Sequence, residues 1–269
     1  MESLVEMGSR YPGTDGHGQA VLYITQVLQS YEATAAATRI SYVPHGPHQP
    51  QNVLVTYGRG AREIVLGAHY DSIADRTAGW RAQEDPAPGA NDNATGAAAL
   101  LEIARILAAE ERAGRLRESV TLAFFDEEEV GMQGSRAWVR ARAGTSLVIN
   151  LDMVGFSAPG KQKLDVVRYG NSGDLLDRAR AANERYGLGL QLVDRLLPAD
   201  LRTWVDSTPF AMAGIPAITL TESYGQPGID YPGYPAFHRV TDTPDQIDNP
   251  PQWKAATQLV LAMALELAR

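Results

Sequence analysis

Two histidines and a set of acids occupy positions in this chain from which side chains can hold metal ions. His69 closes the apolar run R-E-I-V-L-G-A-H, and Asp71 follows two residues later. Side chains two apart on a strand share a side, so this imidazole and carboxylate can be neighbours. Asp92 lies in P-G-A-N-D-N-A-T-G, a loop of turn formers ahead of the helical pattern A-A-A-L-L-E-I-A-R-I-L. The stretch F-F-D-E-E-E-V-G-M-Q-G-S places Asp126, Glu127, Glu128 and Glu129 in succession, and such charges repel unless water or cations compensate them. Asp152 ends the apolar run Leu147 to Leu151, and His238 sits in F-H-R-V-T-D-T-P-D. Jointly, His69, Asp92, Glu129, Asp152 and His238 offer two imidazoles and three carboxylates. That donor mix suits Zn²⁺ and, less tightly, Co²⁺ or Mn²⁺. One of the carboxylates can bridge two ions about 3.5–4 Å apart, the spacing of two-metal hydrolases.

Each residue also has an ordinary structural explanation. Charge runs usually face water, and an Asp before a helix commonly caps it or offsets its dipole. His45 and His48, in P-H-G-P-H-Q-P, are surrounded by Pro and Gly and read as a surface turn rather than a ligand pair. What separates the five from such cases is their shared placement at strand ends, where open α/β sheets bind ligands.

The elements that must hold these residues can be read from periodicity. Helices are expected over Gly18 to Glu32, Ala97 to Leu107, Gly134 to Arg142, Asp174 to Tyr186 and Gln252 to Leu267. Strands are expected over Thr38 to Val43, Asn52 to Tyr57, Arg62 to His69, the run entering Asp126, Leu147 to Leu151, Lys163 to Val167, Leu188 to Val193 and Ala217 to Thr221. The alternation predicts a sheet with helices on both faces. Two irregular segments, Ser72 to Gly89 and Ser223 to Phe237, are long enough to build a substrate pocket, and Trp80, Arg81, Tyr224, Tyr231 and Tyr234 are their candidate wall residues.

The chain has 269 residues and a formal net charge of −8, which argues against nucleic acid or an anionic membrane surface as a partner. It contains no cysteine, so disulfide and thiolate chemistry are excluded and the redox compartment is left open. No stretch approaches 18 consecutive apolar residues, so no membrane span is expected. The start, M-E-S-L-V-E-M, lacks the basic and apolar regions of a signal peptide. A cytoplasmic chain, and a secreted or periplasmic one whose leader had been trimmed, are both compatible with that. No repeat or linker interrupts residues 1–269, which reads as one catalytic domain.

The ordered set G-A-H-Y-D-S, P-G-A-N-D-N-A-T-G, F-F-D-E-E-E-V-G-M-Q-G-S, N-L-D-M-V-G, A-G-I-P-A and F-H-R-V-T-D-T-P-D resembles the co-catalytic di-zinc exopeptidases. That family includes bacterial leucyl aminopeptidases, the glutamate carboxypeptidase II group and, in a divergent branch, glutaminyl cyclases. The resemblance covers nearly the whole chain. It implies a three-layer α/β sandwich with a mixed, mostly parallel central sheet. It also implies two Zn²⁺, one on His69 and Asp152, the other on Glu129 and His238, with Asp92 as the bridge and Asp71 orienting His69. Glu128 becomes the general base for a hydroxide held between the metals, while Asp126 and Glu127 keep no role beyond facing solvent.

One departure is Ser207, where many relatives carry histidine in the segment written here V-D-S-T-P-F. Ser207, Tyr224 and Trp80 are the expected substrate contacts, Tyr224 through its phenol. The expected activity is removal of N-terminal residues from peptides by a monomer, with a glutaminyl cyclase forming N-terminal pyroglutamate as the alternative. A non-catalytic binding module is disfavoured, because every expected ligand and the base are present.

Overall fold

A computed structural model of the chain describes residues 1–32, 41–44, 51–141, 144–157, 162–198, 203–222 and 233–269. Its centre is an eight-stranded sheet. The strands are β1 (Ser41–Pro44), β2 (Gln51–Tyr57), β3 (Glu63–His69), β4 (Ser119–Phe125), β5 (Thr145–Leu151), β6 (Lys163–Arg168), β7 (Gln191–Leu196) and β8 (Ala217–Thr221). They lie in the order β1-β2-β4-β3-β5-β8-β6-β7. The run β4-β3-β5-β8 is parallel, as is β6 with β7, whereas β1 with β2, β2 with β4 and β6 with β8 are antiparallel.

Period-two alternation assigns the strand side chains to two cores. Ile64, Leu66, Ala68, Leu122, Phe124, Ile149 and Leu151 pack on one face beneath α2 (Asp15–Glu32), α3 (Thr95–Arg112), α5 (Gly173–Arg185) and α7 (Pro250–Ala268). Val65, Ala123, Phe125 and Val148 turn to the other face, against Trp138 of α4 (Gln133–Ala141) and Phe210 of α6 (Ser207–Met212). A four-residue helix α1 (Glu2–Val5) precedes them, burying Leu4. The expected three layers are therefore present.

This topology gathers the chemistry at one edge. The chain leaves β3 for β4 on one side and then returns to β5 on the other, a reversal that opens a crevice at the carboxyl ends of the strands. His69 ends β3, the acidic run follows β4, Asp152 follows β5 and Glu222 follows β8.

Arg10 shows how firmly the loop before α3 is held. It is fully buried, and its guanidinium donates to the carbonyls of Leu4, Tyr70, Pro88 and Gly89 at 2.7–3.2 Å. Burial lowers its pKa to about 10, where it is still cationic at neutral pH. Replacing Arg10 with Met strands several buried acceptors, each costing about 1–3 kcal/mol. A lowered Tm in thermal unfolding is the expected readout, and an unchanged one would contradict this role.

Most boundaries agree with the sequence reading. Two depart from it: α3 runs on to Arg112 where Leu107 was expected, and β7 spans Gln191–Leu196 where Leu188 to Val193 was expected. The strand begins later because Gly187 and Gly189 both take positive φ in the preceding loop. As an edge strand with no fully buried side chain, β7 carries little apolar signal to place it.

Candidate metal centre

His69 Nε2 lies 3.2 Å from Asp92 Oδ1 and 3.5 Å from Asp152 Oδ1. His238 Nε2 lies 3.3 Å from Asp92 Oδ2 and 3.0 Å from Glu129 Oε2. The two oxygens of Asp92 thus face different imidazoles, one flanked by Asp152 and the other by Glu129. One donor atom each from His69, Asp92 and Glu129 falls within 4.8 Å of the others.

The local backbone explains how these groups are aimed. Asp92 sits in a kinked turn at Ala90–Ala94, with φ −108° and ψ 92°. The Asp242 carboxylate accepts the amides of Asn91 and Asp92 at 2.9 and 3.0 Å. Asn93 performs the capping role that sequence alone would offer Asp92, accepting Gly96 N at 2.9 Å. It also donates to Leu151 O at 2.9 Å, tying the Asp92 turn to the strand that delivers Asp152. A Cβ at Gly96 would collide with the Asn93 side chain and Leu151 O, so glycine permits that close approach. Glu127, Met153 and His238 have φ of 54°, 52° and 53°. Left-handed backbone is unfavourable for such residues, and it recurs here next to Glu128, next to Asp152 and at His238 itself, as at strained functional sites.

Asp71 is fully buried, with Oδ1 3.3 Å from His69 Nδ1. Its carboxylate also accepts the amides of Glu128 and Glu129, both at 3.1 Å. It therefore fixes two of the expected site elements at once, where the sequence suggested only one.

The donor set fits zinc. Tetrahedral zinc with bonds of 2.0–2.1 Å places neighbouring donor atoms about 3.3 Å apart, and the four imidazole–carboxylate distances scatter around that value. The buried oxygens Glu128 Oε1, Glu129 Oε1 and Asp152 Oδ1, and both of Asp206, have no hydrogen-bond partner among the described residues. Burial, with mutual repulsion, raises Glu129 and Asp206 to about 7 and pushes Glu128 and Asp152 upward as well. Burial opposes charge on His238, but Glu129 and Asp92 overcome it and raise the imidazole to about 11. Asp92 moves down despite burial, because both imidazoles attract its proton-free form. So much buried carboxylate calls for compensating positive charge, which divalent cations supply.

Several expectations need correction. Asp126 does not face water: it is fully buried, accepts Gln51 N at 2.7 Å and pairs with His17 Nε2 at 2.7 Å. Glu127 is only 6% exposed. Neighbouring acids diverge because β4 ends inside the fold, so adjacent side chains enter different buried environments. Ser207 is buried, with its hydroxyl 2.6 Å from Thr219 Oγ1. Trp80 packs edge-on against Tyr11 and donates to Pro86 O at 3.0 Å, while Arg81 pairs with Glu84 and Asp85. Tyr234 donates to Asp242 at 2.6 Å and so supports the Asp92 turn. Tyr224, Tyr231, His45 and His48 lie outside the described residues.

Burial opposes protonation of His17, but Asp126 overcomes it and raises the imidazole pKa. The pair's stabilisation is present below the unfolded value of about 6.5 and is lost as pH rises through the folded one. The Tm of His17→Gln should therefore fall furthest below that of wild type at low pH and converge with it at high pH. A difference independent of pH would refute the linkage.

The sheet and its edge cluster belong to a zinc-dependent peptidase. The family model described as Peptidase family M28 matches residues 52–264, and the chain belongs to that family. It is 24% identical to a probable leucine aminopeptidase of Arthroderma otae, over all of this chain and 71% of that protein. It is 32% identical to a probable zinc metalloprotease of Leptosphaeria maculans, over 79% of this chain but only 53% of the relative. Among solved structures it resembles a Bacteroides thetaiotaomicron glutaminyl cyclase bound to N-acetylhistamine. That likeness has a TM-score of 0.73 and 24% identity, covering 98% of this chain and 94% of the other. Among the described residues, no helix is long and apolar enough to cross a membrane.

Proposed function

We propose that this chain is a di-zinc aminopeptidase acting as one catalytic domain on the N-termini of peptides. The observation that carries this reading is the divided carboxylate of Asp92, whose oxygens each face a separate imidazole at 3.2 and 3.3 Å. His69 and Asp152 would hold one ion, and His238 and Glu129 the other, with Asp92 shared. Bound zinc supplies Lewis acidity and lowers the pKa of water toward neutrality. Glu128, buried beside these donors, takes the proton from the attacking water and returns it to the leaving amine nitrogen. Asp71 keeps Glu128 and Glu129 at a fixed separation by accepting both backbone amides. Asp206, buried with both oxygens unpaired and raised to about 7 by burial, adds to the negative potential around Glu128.

A second reading is favoured by one observation: the glutaminyl cyclase structure matches this fold over nearly its whole length. Aminoacyl-nitroanilides assayed beside Gln-initiated peptides separate the two. The aminopeptidase releases nitroaniline and shortens peptides, whereas ammonia release without shortening would establish the cyclase and reject our reading.

A further inference from the structure

The loop after β3 carries a second carboxylate that the sequence reading passed over. Asp75 Oδ1 lies 3.2 Å from His238 Nδ1, the ring nitrogen opposite the one that faces Asp92 and Glu129. The same short segment grips the backbone around that histidine. Arg76 N donates to His238 O at 2.9 Å, Val240 N donates to Thr77 Oγ1 at 2.9 Å, and Arg239 Nη1 donates to Arg76 O at 2.9 Å. The Arg76 guanidinium lies 4.8 Å above the Phe237 ring, which stacks on the His238 ring with centroids 3.8 Å apart.

We propose that Asp75 is the positioning residue of His238, as Asp71 is of His69, so that one loop supplies the carboxylate behind each imidazole of the cluster. An imidazole that binds a metal through one nitrogen donates its other N–H to such a partner, which fixes the tautomer and strengthens the ligand. The two arrangements differ in shielding. The Asp71 and His69 side chains are 0% and 1% exposed, whereas those of Asp75 and His238 are 55% and 19% exposed. Asp75 therefore acts at the solvent rim, where its removal leaves no buried group stranded and no cavity. Ser72 to Gly89, expected from sequence as a pocket wall, here serves to hold a ligand.

This inference rests on the two-zinc reading, and its test keeps the two apart. Zinc is titrated into metal-free wild type and Asp75→Ala in competition with a chromophoric chelator, and unfolding of both metal-free proteins is followed. Wild type should bind two ions. Asp75→Ala should bind one ion as wild type does and the other about 10–100-fold more weakly, with the metal-free Tm unchanged. Two ions bound at wild-type affinity, equal weakening of both, or a lower metal-free Tm would each overturn the role of Asp75. A wild type that binds fewer than two ions would instead overturn the two-zinc reading.

Discussion

Glu128→Ala retains two zinc ions and loses peptidase turnover by a factor on the order of 10²–10⁴, the contribution expected of a positioned general base. The side chain is buried, its Oε1 has no hydrogen-bond partner, and burial holds its pKa well above the usual carboxylate range. Metal content by elemental analysis and kcat on an aminoacyl-nitroanilide are the two measurements needed. The loss should fall on kcat, because Glu128 is not among the residues that contact an imidazole nitrogen in the cluster. If zinc content fell as far as activity, base and ligand would have been exchanged between Glu128 and Glu129.

Asp92→Ala should empty both halves of the centre, whereas Asp152→Ala should weaken chiefly one. The asymmetry follows from contacts: Asp92 reaches both imidazoles, but Asp152 reaches only that of His69. Removing Asp92 also leaves Glu129 and Asp152 as the remaining carboxylates facing the imidazoles, one on each side. Each half then retains one imidazole and one carboxylate, too few donors for a tightly bound zinc ion. Stripping wild-type protein with a chelator should reproduce the inactive state, and adding zinc should restore wild type but not Asp92→Ala. Two zinc ions retained by Asp92→Ala would remove the bridge from the mechanism.

Three of the five ligand candidates, His69, Glu129 and Asp152, were legible because each closes or follows an apolar strand, whereas Asp92 and His238 stand in turn-forming segments ahead of α3 and α7 and were legible through the ordered motifs around them. Their supports were not. Asp242 and Asp75 are ordinary surface-looking acids in the sequence, and only packing brings them to Asp92 and His238 across 150 and 163 positions. Arg10 reads as one charge in a turn-rich segment, yet it is buried among carbonyls from three separate places. Asp126 misled in the opposite direction: high local charge suggested solvent, and the neutralising His17 lies 109 residues away. Ser207 marks a departure from the family pattern, but its hydrogen bond to Thr219 depends on how α6 meets β8.

The scattering of the cluster over β3, the α3 turn, β4, β5 and the segment before α7 has a kinetic consequence. No part of the chain shorter than residues 69 to 238 contains both imidazoles, so a partly synthesised or partly refolded chain offers zinc at most a fragment of its coordination sphere. Long-range parallel pairing is slow to form, and the site becomes competent only once that pairing is complete. During refolding, zinc uptake should trail the recovery of helical signal and coincide with the final burial of Trp138, making the ion a reporter of finished molecules rather than a nucleus for new ones.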